Sequence, residues 1–136
     1  MENTNIKIVF TISANMLDFN KITEKIGCRP NYIRKKDEIL KNGRIFGHDE
    51  WAIETDYEES LDVLIQLNKI VDTILNKSSI IKELCKEFNA TCGFLIIINI
   101  ENGIFPAMYL DSGFINFASS MNAEIGFDIY FYSDNN

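Results

Sequence analysis

The run Gly93-Phe94-Leu95-Ile96-Ile97-Ile98-Asn99-Ile100 is nearly continuous in apolar side chains. It reads as a central β-strand covered on both faces or nearly so. Its longest uninterrupted piece, Phe94 to Ile98, is far too short to span a bilayer. The rest of the chain can be read outward from this strand.

On the C-terminal side, Glu101-Asn102-Gly103 turns the chain, and Pro106 to Leu110 reads as a short edge strand, where proline is tolerated. Asp111 or Ser112 caps a helix running to about Met121. Ile125, Phe127, Ile129 and Phe131 then alternate with Asp128, Tyr130 and Tyr132 in a last strand with one buried face. On the N-terminal side, Ile80, Ile81, Leu84, Cys85 and Phe88 mark a short helix, preceded by a break at Lys77-Ser78-Ser79. Before it, Leu61, Leu64, Ile65, Val71, Ile74 and Leu75 form a longer helical stripe, and Asp56 with Glu59 has the spacing of a capping box that would start it.

Farther upstream, Trp51-Ala52-Ile53 begins a strand. Residues 28–48 read as an extended excursion, with hairpin strands near Tyr32–Arg34 and Gly43–Phe46. Ile6, Ile8, Phe10 and Ile12 alternate in a first strand. A helix then starts at the N-cap Asp18, shows Phe19, Ile22 and Ile26 on one face, and stops at Gly27. Leu17-Asp18 with Ile22 is echoed by Leu110-Asp111 with Ile115 at the same offset. The expected fold class is therefore α+β, a single domain over 1–136. Two βαβ-like halves, about 1–57 and 90–136, are joined by central helices over 58–89. They would form a ferredoxin-like mixed or antiparallel sheet with helices mainly on one face.

Composition narrows the functional classes. A hydrophobic share of 46% suits a globular core. The start Met1 to Asn5 lacks the basic and apolar regions of a signal peptide. Three scattered cysteines, Cys28, Cys85 and Cys92, fit a reducing cytosol better than a disulfide framework, so the expected location is cytoplasmic with no membrane contact. The net charge of −7 repels nucleic acid and attracts a basic protein surface.

Catalytic chemistry finds little support. The one histidine, His48, adjoins Asp49, but neighbours on an extended chain point to opposite faces, and a solvated side chain explains it better than a hydrolase base. Cys85 and Cys92 read as small core hydrophobes rather than zinc ligands. No glycine-rich phosphate loop follows a strand, and no cofactor or metal is implied. The stretch from Arg29 to Arg44 mixes Arg29, Arg34, Lys35, Lys36, Lys41 and Arg44 with Tyr32, a composition that can hold single-stranded nucleic acid, although Asp37 and Glu38 favour a solvated, salt-bridged loop.

The segment Asp18 through Ile26-Gly27-Cys28-Arg29-Pro30, the charged Arg34-Lys35-Lys36-Asp37, Gly43-Arg44 leading to Trp51, and the closing Gly126-Phe127-Asp128-Ile129-Tyr130 together resemble the bacterial domain-of-unknown-function family 4279. The family usually carries glycine in the charged turn where this chain has Lys36. The resemblance implies a compact α/β bacterial protein with no established activity. Small acidic proteins of this kind are similar, by class, to immunity proteins that neutralise toxins.

The leading expectation is a non-catalytic protein-binding module, an immunity protein or inhibitor that occludes a basic partner. Asp49, Glu50, Glu54, Asp56, Glu58 and Glu59 would steer that partner. Trp51 is read either as core packing or as the anchor of this contact, with Arg44 and Arg29 beside it. The alternatives are a small-ligand sensor lined by Tyr130, Tyr132, Arg29 and Arg44, and nucleic-acid binding through 29–44. The exposed end of the sheet is also open to a homodimer contact.

Overall fold

A computed structural model describes residues 2–133. Six strands and four helices succeed one another among them: β1 (Asn5–Ala14), α1 (Phe19–Ile26), β2 (Tyr32–Arg34), β3 (Asp49–Glu54), β4 (Glu58–Glu59), α2 (Val63–Ile74), α3 (Ser78–Phe88), β5 (Thr91–Glu101), α4 (Ser112–Ser120) and β6 (Glu124–Tyr132).

The strands make one mixed sheet of order β2-β3-β1-β5-β6, with the short β4 paired to the start of β1. β1 runs antiparallel to both β3 and β5, and β5 runs parallel to β6. The two strand–helix–strand halves thus close differently. β5-α4-β6 is a parallel unit with a helical crossover, whereas the chain leaving α1 returns through β3 antiparallel to β1.

Register explains the layering. Ile12 lies opposite Trp51 and Cys92, Phe10 opposite Ile53 and Phe94, and Ile8 opposite Ile96. All of them point to one face, because side chains alternate along a strand. Ile22 and Ile26 of α1, Val63, Leu67, Ile70 and Ile74 of α2, Ile81 and Leu84 of α3, and Phe114 and Ala118 of α4 close over that face in a single core cluster. The fold is α+β, with all four helices on one side of the sheet. Each fully buried Ile or Phe contributes about 1.5–3 kcal/mol by leaving water.

Aspartates start three of the helices. Asp18, Asp62 and Asp111 accept the backbone N–H of Lys21, Leu64 and Phe114 at 3.0, 3.0 and 2.8 Å. Gly27 ends α1 at φ 83°, a left-handed conformation that suits glycine.

Several expectations need correction. The capping box at Asp56 and Glu59 does not start a helix: Glu58 and Glu59 form β4, and Asp62 is the N-cap of α2. Pro106 to Leu110 forms no strand, only a single parallel bridge between Ala107 and Asp62. β5 is buried on the helix side only, so Leu95 and Ile97 are half-buried on the open side. Gly43–Phe46 does not pair with Tyr32–Arg34. The excursion instead folds on itself, with Ile39 bridging Ile45 and Leu40 N–H donating to Arg44 O at 2.8 Å, while β2 pairs with β3.

Candidate partner-binding surface

Trp51 is 0% exposed. The β1–β3 register places it opposite Ile12 on the helix face, and its Nε1 donates to Thr23 Oγ1 at 3.0 Å. This corrects the reading of Trp51 as an interface anchor: a side chain sealed under α1 offers nothing to a partner. Arg29 and Arg44 are exposed and are not its companions at a surface.

The acids around β3 are mostly occupied. Asp49 accepts the backbone N–H of Leu17 at 2.9 Å and of Lys36 at 2.8 Å, tying two loops together. Glu50 accepts the Tyr32 hydroxyl at 3.1 Å and the Ser13 hydroxyl at 3.3 Å, and His48 Nε2 stands 3.9 Å from its carboxylate. Glu54 pairs with Lys7 at 3.2 Å and Glu58 with Lys69 at 2.6 Å. Glu59 accepts the Asn3 N–H at 3.2 Å, and Asp56 is exposed. The structure therefore does not gather these six into one free acidic patch.

On the open face of the sheet, Lys7, Val9, Thr11, Tyr32, Arg34, Glu50, Glu54, Leu95 and Ile97 line a depression of about 550 Å³. Its charges satisfy one another. Arg34 lies 5.1 Å over the Tyr32 ring, and Lys7 lies 5.0 Å over Tyr57. Burial, and then the neighbouring Glu50 carboxylate, push the Tyr32 phenol well above its ordinary pKa. The residues assigned to a ligand crevice do not meet here. Tyr130 and Tyr132 lie on β6 at one edge of the sheet, whereas Arg29 precedes β2 at the other edge.

The surface that sequence reading missed is β6 itself. Pairing of Ile96 with Phe127, Ile98 with Ile129 and Ile100 with Phe131 points these three side chains to the helix side. The helices do not reach them: Phe127 is 40%, Ile129 39% and Phe131 66% exposed. The predicted buried face of this strand is thus largely open. Phe105 meets Phe131 edge-on at 5.9 Å between ring centroids, and Ile104, Met108 and Tyr109 are exposed in the same connection. On the other face, Asp128, Tyr130 and Tyr132 are exposed as well. Among the described residues β6 pairs with β5 alone, so its outer edge faces no other strand.

Along the sequence, the charge that leads into β6 has one sign. Lys86 is the last cation of the chain, and Glu87, Glu101, Asp111, Glu124, Asp128 and Asp134 follow it, so nearly all of the net charge of −7 lies beyond Lys86. That asymmetry is readable in the sequence, and it was the available signal for this surface.

No described helix is long and apolar enough to cross a membrane. A family model described as "Domain of unknown function (DUF4279)" matches residues 4–132. No curated protein and no solved structure matches the chain.

Proposed function

Since the chain belongs to the DUF4279 family, whose description carries no activity, we propose on the strength of its surface that it is a non-catalytic protein-binding module that captures and occludes a basic partner at β6. The observation that carries this reading is the open β6 edge, lined with exposed aromatic and aliphatic side chains on a strand that itself holds Glu124 and Asp128 and no cation.

The mechanism follows from these parts. Glu124 and Asp128 on β6 draw a basic surface in and speed the encounter. An extended segment of the partner then adds to β6 and satisfies its unpaired backbone groups. Phe127, Ile129 and Phe131 lose their exposed area against the partner and slow its release. Asp128, in the middle of β6, opposes pairing with a second copy, because two acidic edges repel. The role of an inhibitor or immunity protein in the bacterial cytoplasm fits such occlusion.

The test is capture from the native host at moderate salt with three tagged proteins. The wild type should retain one basic protein in stoichiometric amount. Phe127→Glu/Phe131→Glu should lose it, and Glu54→Lys/Asp56→Lys should keep it. An acidic partner, or retention by the edge variant, would overturn the assignment of the surface.

A further inference from the structure

Cys85 lies in the last turn of α3 and Cys92 is the second residue of β5. Between them the chain reverses at Asn89, which takes a left-handed φ of 51°, and Ala90 N–H donates to the Cys85 carbonyl at 2.7 Å. This tight return sets both side chains in the lining of one cleft, close enough to influence each other's ionisation. The Cys92 thiol donates to the Met121 carbonyl oxygen at 3.6 Å. Both cysteines line an open cleft of about 730 Å³ where the ends of α3 and α4 meet the starts of β5 and β6. Cys85 is half-buried and faces this cleft, whereas Cys92 is buried behind it.

We propose that Cys85 and Cys92 form a peroxide-reactive dithiol that closes into an intramolecular disulfide. The oxidant is hydrogen peroxide, small enough to enter the cleft. The Cys85 thiolate attacks one peroxide oxygen, an S–O bond forms, the O–O bond breaks, and the departing hydroxide takes up a proton as water. The Cys85 sulfur is now a sulfenic acid, oxidised by two electrons. The Cys92 sulfur attacks it, the S–S bond forms, and the S–O bond breaks. The leaving hydroxide takes the Cys92 proton as a second water. Two thiols have lost two hydrogens, and one peroxide has become two waters.

The order of attack follows from the environment. Cys85 is the more accessible thiol of the cleft, and the neighbouring Cys92 lowers its pKa. The neighbouring Cys85, and then burial, raise Cys92, which keeps its proton until Cys85 has reacted. Cys28 lies outside this cleft, and its thiol is raised by burial, which makes it the internal reference.

The experiment treats the reduced full chain with hydrogen peroxide, alkylates the remaining thiols, and reads intact mass and tryptic peptides. The wild type should lose two hydrogens, yield a peptide pair joined through Cys85 and Cys92, and leave Cys28 alkylated. Cys92→Ser should stop at a sulfenic acid on Cys85, trapped by dimedone, and Cys28→Ser should behave as the wild type. The wild-type measurement stands even if a variant folds poorly. Cys85 and Cys92 that both remain alkylatable after peroxide, or a disulfide that involves Cys28 or a second chain, would overturn the proposal.

Discussion

The indole Nε1 of the fully buried Trp51 donates to the hydroxyl of the half-buried Thr23, fastening the middle of β3 to α1 through one hydrogen bond of 3.0 Å. Thr23→Val should leave the buried donor unpaired and cost about 1–3 kcal/mol. Trp51→Ala removes the ring as well and should cost about 3–5 kcal/mol. Urea denaturation followed by circular dichroism measures both. Since Trp51 is the only tryptophan, its fluorescence also reports directly on this contact in the Thr23 variant.

Gly93 faces Glu124 across the β5–β6 pair, and a Cβ built on it would stand 3.0 Å from the Glu124 carbonyl oxygen. Backbone cannot swing aside as a side chain does. Gly93→Ala should therefore push β6 away and cost about 1–3 kcal/mol. Gly126→Ala is the contrast: its Cβ would meet only Leu95 Cδ1 at 3.7 Å, so the change should be neutral or stabilise by roughly 0.5–1 kcal/mol. Equilibrium unfolding of the pair decides whether the close approach or the loss of glycine as such matters.

If partner capture runs through β6, Glu124→Lys/Asp128→Lys should slow association by about tenfold at low salt, with a smaller change in the release rate. The difference should shrink as ionic strength approaches 1 M, where the Debye length is about 3 Å. Stopped-flow or surface-based kinetics with the captured partner measures both rates. A charge reversal that changes release alone would point to direct contact rather than steering.

The Tyr32 phenol gives a pH signature. Its folded-state pKa lies above that of the unfolded chain because of burial and then Glu50. The stabilisation is therefore complete below the ordinary tyrosine value of about 10 and is lost as pH rises beyond it. At pH 8 the wild type should exceed Tyr32→Phe by about 0.5–1.5 kcal/mol through the hydrogen bond to Glu50. Above pH 10 the advantage should fade. Thermal melts of both proteins across this range test it.

The alternation in β1, the apolar run of β5 and the aspartate caps of α1 and α4 gave the α+β sheet with helices on one side. These signals are local, and local signals survive without knowledge of the partner strand. Trp51 was harder, because the side of β3 that it takes depends on register with β1, which the sequence of β3 alone does not specify. β6 shows the reverse problem. Its alternation is that of a half-buried strand, yet the cover it implies is absent, since α4 packs over Phe94 and leaves Phe131 bare. Asp56 and Glu59 had the spacing of a helix start, and pairing of Glu58 and Glu59 with β1 overrode it.

The order of the sheet also separates charge across its width. The excursion from Arg29 to Arg44 holds six cations against Asp37 and Glu38 and flanks β2, while the cation-free acidic segment ends in β6. Four inter-strand steps lie between these edges, roughly 19 Å at about 4.8 Å each. A molecule polarised in this way feels a torque in the field of a charged body before any atom touches. It turns its acidic rim toward a basic surface and its basic loop away, so that fewer collisions arrive in the wrong orientation.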